Sequence, residues 1–180
     1  MFAVTVSSAF ANPVWNDEVV VEFSDGQNCV WPHPGQVITA RVVLTEPGYA
    51  QDGITAFAFR IDRTFGGFVV ETRNLLGGLM IGSLESEGVS VGAATCVTPD
   101  GQGRIPIVEI DYFYDGMPGL LSVLWHVDEG ATFVDCDQNY HTWYNDSERN
   151  VGGVGMEPPG GCYESPVAEM SWGAVKALYR

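Results

Sequence analysis

The chain has 180 residues, 46% hydrophobic and 12% aromatic, which is enough apolar material for a sizeable core and argues against disorder. Eight basic residues stand against 23 acidic ones, and the net charge of −15 repels phosphate backbones and anionic lipid, which argues against nucleic acid as a partner. The 22 glycines and 10 prolines suit an architecture of many turns, and no stretch of the sequence is long and apolar enough to be read as a membrane span.

Residues 1–11, MFAVTVSSAFA, read as the back half of a secretory signal peptide. Phe2 to Ala9 is apolar, and Ala9-Phe10-Ala11 supplies the small residues that a cleavage site needs. Residues 12–180 are then expected to form a single exported domain, secreted or held at the cell surface, whether extracellular or periplasmic. Glu18 to Phe23 reads as its first strand, closed by the turn signal Asp25-Gly26. Trp31-Pro32-His33-Pro34-Gly35 is a stiff connector, since each proline fixes its own φ and restrains the residue before it. Val37 to Ile61 then holds two alternating runs. Ile38, Ala40, Val42 and Leu44 share one face of the first, and Phe57, Phe59 and Ile61 share one face of the second.

Gly67 to Arg73 is expected as a strand with Phe68 and Val70 inward, and Leu75 to Leu84 as a bulged or bent strand interrupted by glycines. Gly88 to Val97 alternates again. Ile105 to Tyr114 carries Val108, Ile110 and Tyr112 inward, with Pro106 placing its start at a sheet edge. Leu120 to Val127 puts Leu121, Val123, Trp125 and Val127 on one side, and Thr132 to Cys136 is the last core strand. The fold class is therefore all-β, a single antiparallel β-sandwich of jelly-roll or related type, with its core over about 18–136. Residues 137–166 lack periodicity and read as loop. The segment 167–180 offers a short helix capped by Ser171, with Trp172, Val175 and Leu178 on one face.

Gly35, Ile38, Ala40, Val42 and Leu44, followed by Gly53-Ile54, Ala56, Phe57, Phe59 and Ile61, resemble the opening strands of cohesin-like β-sandwich modules. The resemblance reaches from Gly35 to about Val127 and departs at Asp62-Arg63-Thr64-Phe65, where cohesins usually carry a Tyr-Asp-Pro turn. It implies a β-sandwich with a non-catalytic binding or structural role. The ending Trp172-Gly173-x-x-Lys176-x-Leu178-Tyr179 also resembles the tails of secreted bacterial β-domains of no assigned activity, which implies export.

Cys29, Cys96, Cys136 and Cys162 contain no CxxC pair, which argues against a zinc knuckle or a redox motif. In an exported chain they suggest two disulfides with three possible connectivities. The expected one is Cys29–Cys96 with Cys136–Cys162, the second clamping 137–166 onto the core.

Gly88-Val89-Ser90-Val91-Gly92 matches the G-x-S-x-G pattern, but Ser90 lies inside an alternating strand with no helix after it, so no nucleophile is read there. His33, His126 and His141 have no metal spacing. In the loop DCDQNYHTWYND, Asp135, Asp137, Asn139 and Asp146 fall at positions one, three, five and twelve of a calcium loop. Calcium is thus a possible ligand and no other cofactor is expected; the alternative is an acidic solvated loop. Tyr140, Trp143 and Tyr144, beside Asn139 and Asn145, offer flat rings and amides that suit carbohydrate or a protein partner at the cell surface, unless the rings pack inward over the core. Asn145-Asp146-Ser147 is an N-glycosylation sequon. A secreted hydrolase acting through a carboxylate pair is the rival reading.

Overall fold

The computed structural model describes residues 17–45, 48–144 and 150–162. The described residues form twelve strands, most of them from the alternating runs: β1 (Glu18–Phe23), β2 (Cys29–Val30), β3 (Val37–Thr45), β4 (Ile54–Arg63), β5 (Gly67–Asn74), β6 (Gly77–Ser83), β7 (Gly88–Val97), β8 (Ile105–Tyr114), β9 (Gly119–Leu124), β10 (Thr132–Asp135), β11 (Tyr140–Thr142) and β12 (Val151–Val154). A four-stranded sheet runs β1-β3-β8-β5. An eight-stranded sheet runs β11-β10-β4-β9-β12-β2, with β7 also paired to β4 and β6 beyond β7. Every pair is antiparallel except β12 with β2. Among the described residues no helix is long and apolar enough to cross a membrane. The candidate signal remnant and the C-terminal helix lie outside the described residues.

The two sheets meet on the faces that alternation selects. Ile38, Ala40, Val42 and Leu44 on β3, Phe57, Phe59 and Ile61 on β4, and Val108, Ile110 and Tyr112 on β8 are all buried in one cluster. Leu121 and Val123 on β9 and Phe133 on β10 join them. Beyond β4, Phe65 is buried beneath the Arg63 guanidinium, which lies 5.2 Å from its ring centre and pairs with Glu85. Pro106 sits where β3 shifts register opposite β8, past the last pair that β5 makes with β8, so its missing N–H interrupts no ladder there.

Four expectations are corrected. Phe68 and Val70 face solvent, because β5 is an edge strand whose register with β8 turns Val69 inward opposite Tyr112. Phe68 instead stacks on Phe113, ring centres 5.1 Å apart, on the outer face. Trp125 and Val127 are exposed as well, since β9 stops at Leu124 and the alternation beyond it is no longer that of a strand. The stretch 137–166 is not all loop: it supplies β11 against β10, and β12 between β9 and β2.

The disulfides are Cys29–Cys162 and Cys96–Cys136, not Cys29–Cys96 and Cys136–Cys162. Topology dictates this. β12 pairs with β2 at Gly153 and Cys29, and the chain leaving β12 returns Cys162 to within 5.7 Å of Cys29, Cα to Cα. β7 and β10 flank β4 on opposite edges, Val97 and Asp135 both facing Ile54, so Cys96 and Cys136 meet across the start of β4. Gly53 leaves room for that bridge: a Cβ there would lie 2.8 Å from one sulfur and 2.9 Å from the other, and its φ of 106° favours glycine in any case.

The outer face of the four-stranded sheet is a charge ladder. Glu109 lies between Arg41 and Arg73, and Arg73 also reaches Asp111 and Glu71. Arg73 first and Arg41 second hold the Glu109 carboxyl below its ordinary range, while Thr39 first and then Arg73 do so for Asp111. These paired ions keep that part of the sheet polar and wet.

Candidate partner-binding face

The calcium-loop positions fold into a turn that satisfies itself. Asp135 ends β10, and its carboxylate accepts the Asn139 backbone N–H at 2.8 Å and the Asn139 side-chain amide at 3.0 Å. His141 Nε2 lies 2.7 Å from Asp135 Oδ2, the oxygen that also accepts the Asn139 side-chain amide, and the His141 ring is stacked on Tyr49. A calcium ion needs oxygens turned inward, whereas here Asn139 presents N–H groups to Asp135 and would have to let go. Asp137 is exposed, and Asp146 lies outside the described residues. The described ligand positions therefore do not fit calcium as they stand.

The His141 contact, and after it the Asn139 donors, hold the Asp135 carboxyl down at about 2. A carboxyl depressed on folding contributes stability above its unfolded pKa, and that contribution disappears as pH falls through the folded value. Denaturation midpoints are thus expected to fall between about pH 4 and 2 in the wild type. The fall should be shallower in Asp135→Asn, measured as the difference between the two pH profiles.

The aromatics of this segment divide. Trp143 is 1% exposed, stacks on Phe57, and donates its indole N–H to the Ala58 carbonyl at 3.0 Å. β9 runs against the C-terminal part of β4 and β10 against its N-terminal part, with residues 125–131 leaving the ladder between them. The Ala58 carbonyl faces that gap, and the indole fills it. Trp143 is a lid on the core and not a ligand platform. Tyr140 and Tyr144 are exposed, Asn139 is committed to Asp135, and Asn145 lies outside the described residues. The ligand set expected from sequence is not assembled here.

Residues 125–131 make a different surface. They cross the outer face of β4 toward β7: the Val127 N–H donates to Glu87 O at 2.9 Å, and Ser90 Oγ donates to Glu129 Oε1 at 2.8 Å. His126 closes the turn, pairing with Gly130 through both backbone bonds while its Nδ1 accepts the N–H groups of Asp128 and Glu129. Its ring rests on Gly88, where a Cβ would lie 2.5 Å from it. Ser90 is therefore a clamp, and the G-x-S-x-G match carries no chemistry. His33 stands exposed in the connector.

On this rigid crossing Trp125 and Val127 are 59% and 60% exposed. On the same outer side, β6 turns Leu79 (74%) and Ile81 (67%) to solvent, Ile81 standing opposite Ser90. Between them lie Gly92 and Ser90 on β7, Ser90 capped by Glu129, and the half-buried Ala56 on β4, while Ala58 is buried. The result is a low apolar surface with acidic neighbours at Glu87, Asp128 and Glu129, all exposed. Sequence reading missed it because the period of two continues through Trp125 and Val127. The available cue was the turn signal Asp128-Glu129-Gly130 so soon after them.

The chain matches no protein-family model and no curated protein. Its fold does match solved structures. One is a chain of a type I cohesin–dockerin complex from Clostridium thermocellum, with TM-score 0.51 and 16% identity over 76% of this chain and 97% of that one. Another is the cohesin module of a family 33 glycoside hydrolase from Clostridium perfringens, with TM-score 0.52 and 8% identity over 76% of this chain and 93% of that one. At these identities the likeness concerns architecture alone, and the architecture is a cohesin-like β-sandwich.

Proposed function

We propose that this chain is a non-catalytic binding module, exported to the cell surface or the extracellular space. Its partner is a protein that docks on the outer face around Trp125, Val127, Leu79 and Ile81. The observation that carries the reading is the exposure of these four large apolar side chains on backbone already fixed by hydrogen bonds. Exposed apolar surface on a folded module marks interaction sites, and a central tryptophan is a frequent hot spot. A pre-ordered surface also loses little entropy on docking. The cohesin-like fold supports the reading by analogy only. The two disulfides support an oxidising compartment.

A carboxylate-pair hydrolase needs one acid held protonated near neutrality. Among the described residues, the carboxyls displaced from their ordinary range, Glu109, Asp111 and Asp135, are all displaced downward. That favours the binding reading over the hydrolase.

The test compares the wild type with Trp125→Ala and Val127→Asp, each immobilised and offered a panel of dockerins and the secreted proteins of its own host. A specific partner should be captured by the wild type and weakened by about 2 kcal/mol or more in Trp125→Ala. Thermal melts should be unchanged, because both side chains are exposed. Capture that survives both substitutions would remove this face from the account.

A further inference from the structure

At the opposite side of the sandwich, the connector after β2 and the end of β1 enclose a groove of about 310 Å³ beside the start of β3. Its lining mixes apolar Phe23, Trp31, Pro32 and Val37 with polar Ser24, Gln36 and Thr39. That volume is at the lower end of small-ligand sites and suits one ring-sized group. Trp31 is 62% exposed, an indole left in water where nothing in the core requires it.

The platform is fixed before any ligand arrives. The Cys29–Cys162 bridge holds the chain two residues upstream of Trp31, and Gly155 N–H donates to Val30 O at 2.8 Å. Downstream, Gly35 N–H donates to Tyr114 O and Tyr114 N–H to Gln36 O. Pro32 and Pro34 restrict the backbone between those anchors. The Gln36 side chain is held at one end, its Oε1 accepting the His33 N–H at 2.8 Å. That bond leaves the Gln36 amide donors for a ligand, and the exposed Ser24 hydroxyl lines the same groove.

The apolar surface continues out of the groove. Val37 stands opposite Phe113, and Phe113 stacks on Phe68, which is 58% exposed. Neighbouring strands are about 4.8 Å apart, so Trp31, Val37, Phe113 and Phe68 form a ribbon of flat surface crossing the end of the four-stranded sheet.

The geometry points to a binding site for a neutral, β-linked oligosaccharide. One sugar ring stacks on Trp31 in the groove, its hydroxyls meeting Gln36 and Ser24, and the following rings lie along Val37, Phe113 and Phe68. Sugars with equatorial hydroxyls have an apolar face that packs on an aromatic ring and an edge of donors and acceptors. The chain's net charge of −15 repels anionic glycans, which leaves the neutral ones. This site is independent of the proposed protein-docking face, being on the other sheet.

Isothermal titration of the whole chain with cellohexaose, mannohexaose and laminarihexaose tests the assignment, with an oligogalacturonate and a proline-rich peptide as comparisons. At least one neutral hexaose should bind with a Kd below about 1 mM. Trp31→Ala should weaken it about tenfold without shifting the melt. Phe68→Ala should weaken the hexaose more than the matching disaccharide. Absence of binding by all three neutral sugars overturns the site. So does equal binding by Trp31→Ala, or a response confined to the oligogalacturonate or the peptide.

Discussion

Replacing Cys29 and Cys162 together by serine is expected to destabilise the protein more than any single change in its core. The bridge spans a sequence separation of 133, against 40 for Cys96–Cys136. On the chain-entropy model these loops correspond to roughly 5 and 4 kcal/mol. The longer bridge also acts locally. β2 has two residues, paired in parallel with the last two of β12, and so short a ladder cannot hold β12 against the core unaided. A loss of this size is comparable to the whole stability of many domains, about 5–15 kcal/mol. Urea denaturation should therefore rank the serine pairs, with the Cys29/Cys162 variant unfolding at the lower midpoint. A non-reduced digest should yield peptides linking Cys29 to Cys162 and Cys96 to Cys136. The reverse ranking would mean that the second sheet does not depend on the β2–β12 junction.

Trp143→Ala is expected to cost roughly 3–5 kcal/mol, the range for emptying a buried aromatic site. Two contributions are separable. The indole packs on Phe57 with ring centres 5.7 Å apart, and its N–H satisfies the Ala58 carbonyl where β4 passes from β9 to β10. Trp143→Phe keeps much of the packing and leaves that carbonyl without its donor, so it should cost about 1–3 kcal/mol. If Trp143→Ala cost less than about 1 kcal/mol, the gap between β9 and β10 would be filled by something other than the indole.

What could be read beforehand depended on whether a residue's environment was local. In β3, β4 and β8 one face is buried along the strand, so alternation alone found Phe57, Phe59, Val108 and Ile110. Phe68 failed that test because the partner's register, and not the alternation, decides which face of an edge strand turns inward. Trp125 failed because a run of alternating residues does not announce where hydrogen bonding to β4 stops. The strand Val151–Val154 reads VGGV, two glycines diluting the strand preference of its valines and leaving no alternation; β9 and β2 flank it and complete its pairing. The disulfide pairing could not be chosen from spacing, since it follows from which strands flank Gly53 and which strand returns to Cys29. Trp143 lay in an aperiodic stretch, and its burial depends on a vacancy in a ladder 85 residues away.

The candidate site suffered most from this. Its four apolar residues come from one glycine-rich edge strand and one crossing segment, and only the folded sheet brings Leu79 and Ile81 to the side that Trp125 and Val127 occupy. In sequence they look like core.

Amide hydrogen exchange, measured on the chain alone and saturated with its captured protein partner, locates the docking face directly. Added protection is expected over residues 79–82 and 124–130, with residues 37–41 and 109–113 on the other sheet unchanged. Protection appearing instead on that other sheet, or nowhere on the described strands, would contradict it.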